Sequence, residues 1–249
     1  MSSKSSNTVS KSVIDAFDFH PGKVLAKNFV VVEKLGAGWE GEVYKVREKN
    51  TGIERAAKIF FPQRNIRNKA AISYARKLHK LHSCPIVIHY HAEETIIVQK
   101  TPVTVLISEF VEGELLSEFL KNQPGKRLYP FAALHFLHSL VLGLEQVHNE
   151  KEYHGDLHAE NVIISRFGLK FELKLLDFFN LGGPRQEGIR DDICSAVRLF
   201  YDVLGGARRY SDHPKEIKYI CCGLKRTLCL KRFPRASVLR VHLENMQWE

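Results

Sequence analysis

The chain has 249 residues, of which 44% are hydrophobic and 26% are charged, and this composition is typical of a globular protein with a substantial core. No stretch approaches 18 uninterrupted apolar residues, so the sequence predicts no membrane span. The five cysteines are odd in number and lack C-x-x-C spacing. This predicts free thiols in a reducing compartment, the cytoplasm, and disfavours a zinc site.

The formal net charge of +9 is unevenly distributed. Residues 205–249 carry ten Lys and Arg against four acids, and residues 56–92 carry no acid at all. Such surfaces attract acidic peptides, nucleic acid or anionic lipid. No aromatic-interleaved RNA motif or zinc-finger spacing supports nucleic acid specifically. Two interpretations of these basic surfaces therefore stay open: they bind an acidic partner, or they are solvated and have no dedicated partner. We expect the chain to be a monomer.

The beginning of the chain differs from the rest in composition. Residues 1–12 include six serines and no apolar run of the kind that a secretory signal requires. We therefore expect a disordered Ser-rich tail over residues 1–20, followed by one folded domain over residues 24–249.

Strand signals dominate the chain up to residue 110. Runs rich in Val and Ile predict strands, with a hairpin-type turn at residues 50–52. Apolar residues at helical spacing interrupt this pattern once and predict a helix over 66–81. The predicted strands cover residues 29–35, 42–47, 53–60, 86–99 and 103–110. We expect them to form an N-terminal lobe over about residues 24–110.

Helical periodicity dominates after a predicted hinge at residues 111–114. Two short strands, 162–165 and 171–176, flank a turn at 166–168. The predicted helices cover residues 115–120, 131–150, 191–204, 217–230 and 237–246. Strands followed by helices are typical of the α+β class, here with a C-terminal lobe over about residues 113–249.

A glycine-rich segment, GAGWEGEV at residues 36–43, fits the pattern G-x-G-x-x-G-x-V. A strand follows it, whereas dinucleotide-binding folds place a helix there, so a hairpin lid over phosphate groups fits better. Glycines let the backbone approach phosphate oxygens closely.

Lys58 lies 22 residues after Gly36 in an apolar strand. Considered alone, it would be an edge lysine whose amine reaches water.

The most informative segment is YHGDLHAEN, at residues 153–161. It places the carboxylate of Asp156 five residues before the amide of Asn161 and 21 residues before a second carboxylate, Asp177. Phosphoryl transfer with Mg²⁺ needs one group that orients a hydroxyl and two oxygen ligands that hold the metal. The spacing therefore predicts a phosphotransferase.

Together these motifs resemble those of the protein-kinase-like superfamily, whose bilobed fold has the same order of elements over about residues 29–246. The resemblance implies ATP and Mg²⁺ as cofactors, a protein substrate, and an atypical, microbial-style Ser/Thr protein kinase as the leading function. It implies that Asp156 accepts the proton of the attacking hydroxyl and that Asn161 and Asp177 bind metal. The residues that it implies for nucleotide binding are Gly36, Ala37, Gly38, Gly41, Val43, Lys58, Glu109 and Val111.

The resemblance also implies two structural roles. Asp192 begins a helical segment that resembles the buried helix whose leading aspartate holds the catalytic-loop backbone by hydrogen bonds. His154 is expected to pack beneath the loop as an anchor. The other histidines, such as His135, His138 and His148, show no pairing with acids at ligand spacing, so no metal site is expected there.

The chain departs from the family pattern around the lysine and the catalytic aspartate. The family's helix offers a glutamate to the lysine, but residues 56–92 contain no acid. Glu93, Glu94 or Asp177 are the candidate partners of Lys58, because a buried lysine without a partner is costly. Gly155 replaces the arginine that normally precedes the catalytic aspartate.

The activation segment also departs from the family. Phe179 replaces the glycine of the usual Asp-Phe-Gly, and only 14 residues separate Asp177 from Asp192. Residues 178–190 contain no Ser, Thr or Tyr. We therefore expect an enzyme that is not switched by phosphorylation of this segment.

Two other functions stay open. His158, two residues after Asp156, is typical of aminoglycoside and sugar kinases, whereas Ser/Thr protein kinases carry lysine there, and the short activation segment also fits a small-molecule phosphotransferase. The helix without a glutamate favours a pseudokinase that serves as a binding scaffold. The presence of Lys58, Asp156, Asn161 and Asp177 favours an enzyme.

Overall fold

The structure is a computed structural model and describes residues 13–168, 170–178 and 184–247. The chain divides into two compact units, Met1–Ser73 with His91–Phe110, and Tyr74–Tyr90 with Val111–Glu249. The first unit is rich in strands and the second in helices, which confirms the predicted α+β class. The segment Tyr74–Tyr90 belongs to the second unit, although the predicted boundary placed it in the first.

A six-stranded sheet forms the first unit, with the strand order β1-β2-β3-β4-β6-β5. The strands are β1 (Val24–Leu25), β2 (Phe29–Ala37), β3 (Gly41–Glu48), β4 (Glu54–Phe60), β5 (Tyr90–Val98) and β6 (Thr101–Glu109). Four of the five predicted strands are confirmed to within a few residues. The predicted strand 86–99 begins only at Tyr90, because Ile86, Val87 and Ile88 are buried in the core of the second unit.

The expectation of a disordered tail over residues 1–20 is wrong for residues 13–20, and residues 1–12 lie outside the described part of the chain. Ile14, Phe17 and Phe19 are buried in the core of the first unit. The backbone amide of Phe19 also donates a 3.0 Å hydrogen bond to the Tyr44 hydroxyl. The prediction extended the serine-rich composition of residues 1–12 too far along the chain. Three large apolar side chains follow the serines, and their burial stabilises this segment.

One helix, α1 (Lys69–Lys80), lies between β4 and β5 in the chain. It begins three residues later than the predicted helix 66–81, after a short 3-10 turn. Arg67 and Asn68 have φ angles of 54° and 60°, in the left-handed region that a right-handed helix cannot contain. The Oδ1 atom of Asn65 accepts a 3.2 Å hydrogen bond from the amide of Ala71 and so satisfies a donor in the first turn.

Among its described residues, the second unit combines six α-helices with a small sheet of order β7-β8-β9. Its helices are α2 (Leu116–Asn122), α3 (Pro130–Asn149), α4 (Arg185–Val203), α5 (Lys215–Cys221), α6 (Arg226–Arg232) and α7 (Ala236–Asn245). Its strands are β7 (Glu114–Leu115), β8 (Val162–Phe167) and β9 (Lys170–Leu175). The buried faces of α3 and α4 form much of its core. In the described ranges, no helix is both long and apolar enough to cross a bilayer.

Two of these helices differ from their predicted bounds. The predicted helix 217–230 is in fact two helices, α5 and α6, because Cys222 and Gly223 adopt φ angles of 53° and 54° between them. The helix predicted over 191–204 begins at Arg185, directly after Pro184. Its first turn is polar and therefore showed no apolar periodicity in the sequence.

Candidate active site

The glycine-rich segment forms the turn of the β2–β3 hairpin. Gly36 pairs with Val43 and Ala37 with Glu42 across the two strands. The amide of Gly38 donates a 2.9 Å hydrogen bond to the carbonyl of Gly41, which closes the turn. The predicted hairpin lid is thus present as local structure.

The three glycines of this segment differ in why the position lacks a side chain. A Cβ atom on Gly41 would lie 1.9 Å from the carbonyl oxygen of Ile59, so the close approach of β4 excludes any side chain. Cβ atoms on Gly36 and Gly38 would meet nothing within 4 Å, and neither residue has a positive φ. The fold therefore requires Gly41, whereas Gly36 and Gly38 keep the backbone open toward solvent, where a ligand could approach it.

Lys58 pairs with an acid of the glycine-rich turn. Its Nζ atom lies 2.9 Å from Glu40 Oε2, with the side chains of Lys58 and Glu40 11% and 29% exposed. Of the expected candidates, Glu93 instead accepts a 2.8 Å hydrogen bond from Asn68, and a pairing of Lys58 with Asp177 stays a prediction. Lys58 is also the cross-strand neighbour of Val43. Glu40 thus orients the amine beside the open turn.

The two remaining residues expected at the nucleotide lie at the end of the first unit and the start of the second. Glu109 is the last residue of β6 and pairs with Arg55 of β4 in the sheet register. Val111 is half-buried and packs against the core of the second unit.

A buried aspartate holds the start of the catalytic loop. Asp192 of α4 is 1% exposed, and its carboxylate accepts hydrogen bonds from the amides of His154 at 2.7 Å and Gly155 at 2.9 Å. His148 Nε2 lies 3.1 Å from the same carboxylate. The structural role predicted for Asp192 is confirmed, and its acid–histidine pair corrects the expectation that His148 would face no acid. His138 likewise lies 3.1 Å from Glu244.

His154 is fully buried beneath the loop. Its Nε2 atom lies 2.7 Å from the carbonyl of Leu176, its ring packs 4.7 Å from that of Phe178, and its Nδ1 accepts from the amide of Asp156. Burial lowers the pKa of His154, so the ring is neutral and donates from Nε2. The anchoring role predicted for this histidine is confirmed, and it joins the loop to the segment before Asp177.

Asp156 and Asn161 face each other across the loop. The Nδ2 atom of Asn161 donates a 2.9 Å hydrogen bond to the carbonyl of Asp156 and lies 3.4 Å from its Oδ2. This turns the amide nitrogen into the loop and leaves the amide oxygen as the atom that could bind a cation. Asn161 is buried, whereas the Asp156 side chain is 55% exposed and accessible to a substrate.

Asp177 follows β9 at the edge of the same loop. The amide of Leu176 donates a 2.9 Å hydrogen bond to the carbonyl of Asn161, so the residue before Asp177 is tied to the loop. Asp177 itself is half-buried and has a φ of 48°, in the left-handed region that aspartate adopts more readily than most non-glycine residues. Phe179, which replaces the usual glycine, lies outside the described residues.

His158 contacts the predicted base directly. Its Nδ1 accepts a 3.2 Å hydrogen bond from the amide of Glu160. Nε2 lies 3.5 Å from Asp156 Oδ2 and 3.0 Å from Asn161 Nδ2. The residue that distinguishes this loop from the usual Ser/Thr kinase sequence is thus part of the same cluster.

The oxygen atoms at this loop fit a Mg²⁺ ion whose remaining ligands come from water and nucleotide phosphates. Among the residues that the structure describes, no group of three or more His, Cys, Asp or Glu could hold a metal ion by itself. Mg²⁺ typically takes one or two protein oxygens and completes its shell with water and nucleotide phosphates. The amide oxygen of Asn161 and the carboxylate of Asp177 are ligands of that kind.

The sequence signature of the protein kinase domain matches residues 29–182, more than half of the chain. This chain belongs to the protein kinase family. The sheet-rich first unit and the helical second unit agree with that fold, as the sequence predicted. The match covers the glycine-rich hairpin, Lys58, the catalytic loop and Asp177.

Several proteins resemble this kinase domain. Cyclin-dependent kinase 14 of Callithrix jacchus is 32% identical over 195 residues, which cover 75% of this chain and 42% of that protein. Cyclin-dependent kinase 15 of Mus musculus is 27% identical over 90% of this chain and 50% of its own length. Myosin-IIIa of Homo sapiens is 29% identical over 68% of this chain and 10% of its own length. The chain thus spans half or less of the relatives that it matches.

Two contacts of this kinase domain escaped the sequence reasoning. The only signal for the Glu40–Lys58 pair is an acid at one of the variable positions of the glycine-rich pattern. Lys77 of α1 lies over the rings of Tyr153 at 4.3 Å and Phe178 at 5.6 Å. Burial lowers the pKa of Lys77 to about 8. No sequence pattern marked this lysine, because its neighbours are far away in the chain.

Proposed function

We propose that this chain is an ATP-dependent Ser/Thr protein kinase that uses Mg²⁺. Membership of the protein kinase family and the kinases among its relatives support this function. The observation that carries it is the catalytic loop, in which the side chain of Asp156 is exposed while Asn161 and the backbone around it are fixed by hydrogen bonds, two of them 2.9 Å long. A scaffold without activity would not need such a loop.

In the proposed reaction Asp156 orients the hydroxyl of a serine or threonine and accepts its proton as the phosphoryl group transfers. A positioned base of this kind contributes about 10²–10⁴ in rate. Asn161 and Asp177 hold the metal, which when bound neutralises charge on the nucleotide phosphates. In the first unit, the open backbone of Gly36 and Gly38 and the amine of Lys58 bind phosphate oxygens.

The remaining expected site residues complete the proposed nucleotide contacts. Val43 would pack on the adenine, since its half-buried side chain neighbours Lys58 in the sheet. Gly41 and Ala37 would shape the turn, and Glu109 and Val111 would contact the base through their backbone.

The test is phosphoryl transfer from labelled ATP with Mg²⁺ to a generic basic protein. Asp156→Asn should abolish the transfer and preserve nucleotide binding. Glu160→Gln is the matched control, because this acid is exposed in the same loop and should leave the rate unchanged. Full turnover by Asp156→Asn would refute its assignment as the base. Nucleotide binding without any transfer by the wild-type chain would instead support a scaffold.

A small-molecule phosphotransferase is the second candidate, and the contact between His158 and Asp156 favours it. The same assay with aminoglycosides and sugars as acceptors separates the two. Label on a small molecule alone would favour the second candidate. Phosphatase treatment should leave activity unchanged in either case, because residues 178–190 offer no hydroxyl for regulatory phosphorylation.

A further inference from the structure

One lysine of the second unit places its charge beside two aromatic rings at the catalytic loop. Lys77 lies in the part of α1 that belongs to this unit. Its Nζ atom is 4.3 Å from the ring centroid of Tyr153 and 5.6 Å from that of Phe178. A cation within about 6 Å of a ring centroid is attracted by the electrons of the ring face. The reaction proposed above gives this charge no role.

Both rings belong to direct neighbours of functional residues. Tyr153 precedes His154 at the start of the catalytic loop. Phe178 follows Asp177, a proposed metal ligand. The rings of His154 and Phe178 are buried, and their centroids are 4.7 Å apart. Lys77 therefore joins the start of the catalytic loop to the residue after the proposed metal ligand.

The surrounding packing fixes the groups that make this contact. Tyr153 lies against α4 so closely that a Cβ atom on Gly188 would be 2.5 Å from its ring. Leu78, the residue after the lysine, is 1% exposed in the core of the second unit. The segment that follows α1 is tied to β9, because the amide of Leu175 donates a 2.7 Å hydrogen bond to the carbonyl of Ile86. The lysine and the rings are thus held by the same unit.

The charge of Lys77 persists at neutral pH although the side chain is partly withdrawn from water. Burial lowers the pKa of Lys77 to about 8, while attraction to Glu152 and Asp192 opposes this shift. Glu152 is buried and is shared with Lys80 at 2.8 Å and Arg185 at 3.5 Å. An apolar side chain of similar length would avoid the cost of desolvating a charge. The contact with the rings gives a reason for a lysine at this position.

We propose that Lys77 is a positioning residue for phosphoryl transfer, because its charge holds the ring of Phe178 and so limits the positions that the carboxylate of Asp177 can adopt. Phe178 and Asp177 share a peptide bond, so a fixed ring restricts rotation of the backbone between them. The same charge beside Tyr153 keeps the catalytic loop aligned with Asp177. The proposal rests on the proposed kinase function, in which Asp177 binds metal.

Hydrogen exchange of the full chain without nucleotide tests the contact. Lys77→Met keeps the length of the side chain and removes its charge. We expect the amides of residues 171–178 to exchange about threefold faster than in the wild type. The melting temperature should stay the same or rise, because a desolvated charge is lost. Unchanged exchange in Lys77→Met would overturn the proposal.

Kinetics with labelled ATP separate positioning by charge from packing. Lys77→Met should lower kcat about tenfold and change the KM for ATP by less than about twofold, and more Mg²⁺ should be needed for half of the maximal rate. Lys77→Arg keeps the charge and should recover most of kcat and the slow exchange. Arg76→Met is the matched control, because it removes an exposed cation from the same helix and should change neither. Equal losses in Lys77→Met and Lys77→Arg would assign the effect to side-chain shape and overturn the role of the charge.

A variant of the ring provides a second test that leaves the lysine in place. Phe178→Leu keeps an apolar side chain and should reproduce the faster exchange of residues 171–178. Adding Lys77→Met should then change this exchange by less than about twofold, because the ring on which the charge acts is already absent. Additive effects would overturn the proposal. Exchange is measured without ATP, so unchanged exchange with normal transfer refutes the role of Lys77, whereas faster exchange without any transfer by the wild type refutes the kinase function.

Discussion

The catalytic loop of the second unit and the glycine-rich hairpin of the first unit are built in opposite ways. The loop is held from beneath by buried groups, with Asp192 and His154 at 1% and 0% exposure. The hairpin turn is exposed, and Lys58 of the neighbouring strand β4 is paired with Glu40 of this turn. The groups proposed for chemistry are therefore preorganised, whereas the groups proposed for binding phosphate are supported locally and can adjust.

The largest effect should come from removing the support beneath the loop. Asp192→Ala leaves the buried amides of His154 and Gly155 without an acceptor, and we expect the free energy of unfolding to fall by about 3 kcal/mol. Phosphoryl transfer should be lost as well. Denaturant unfolding and the labelled-ATP assay measure both.

Asp191→Ala is the control for that experiment. Asp191 is 42% exposed and pairs with Arg226 at the surface, so its loss should cost less than about 1 kcal/mol. Equal destabilisation by the two variants would show that the loop is not held by Asp192 in the way that the structure indicates.

The next effect distinguishes two glycines of the hairpin. Gly41→Ala places a methyl group against the carbonyl of Ile59 and should destabilise the first unit by about 2 kcal/mol. Gly38→Ala meets open space and should change stability by less than about 0.5 kcal/mol, while weakening ATP binding. Thermal unfolding with and without nucleotide measures both quantities. Loss of stability in Gly38→Ala would mean that this glycine serves the fold.

A smaller effect should follow from breaking the ion pair between Glu40 and Lys58. Glu40→Gln removes the charge that orients Lys58, and we expect the KM for ATP to rise about fivefold with little change in kcat. Glu33→Gln, an exposed acid on β2, is the control and should leave KM unchanged. A lower KM in Glu40→Gln would show that Glu40 competes with the phosphates for Lys58 instead of positioning it.

The smallest effect is a pH dependence confined to the second unit. Burial lowers the pKa of His154, His213 and His242 below the ordinary value of 6.5. These rings must be neutral in the folded state, so their contribution to stability is complete above pH 6.5 and is lost as the pH falls below it. Hydrogen exchange should show the second unit opening more readily at pH 5.5 than at pH 7.5.

His242→Phe tests the cause of this dependence. The ring packs against Tyr219 and Phe233, and within the described residues its buried Nε2 has no hydrogen-bond partner. Phenylalanine keeps the packing and removes the ionisable group, so the variant should gain about 1 kcal/mol and lose part of the acid sensitivity. A pH profile identical to that of the wild type would assign the sensitivity to other groups.

Much of the fold could be predicted because its signals are local. Alternating Val and Ile residues marked the strands, and apolar spacing marked the long helix α3. The predictions from sequence were wrong where segments that are far apart in the chain pack together. Val87 forms a bridge with Leu175 in the second unit, so a strand-like run there does not join the first sheet. Backbone conformation at Arg67 and Gly223 fixed two helix ends that composition did not reveal.

The candidate site shows the same division. Asp156 and Asn161 were predictable because their spacing is fixed within one loop. The pair between His148 and Asp192 joins residues 44 positions apart, and no periodicity predicts it. Glu93, Glu94 and Asp177 were the candidates for Lys58, whereas Glu40 of the turn lies 2.9 Å from its amine. Residues that lie close together within one loop could therefore be predicted from the sequence. Pairs between residues that are far apart in the chain required the three-dimensional structure.

The charge of α1 has a consequence for how the amine of Lys58 could be controlled. The helix carries lysine, arginine and histidine but no acid, so turning it can neither form nor break a carboxylate contact to Lys58. A regulator that acts by swinging this helix would find no electrostatic lever on the lysine. A movement of the β2–β3 turn, in contrast, would shift Glu40 and with it the 2.9 Å contact to the Lys58 amine.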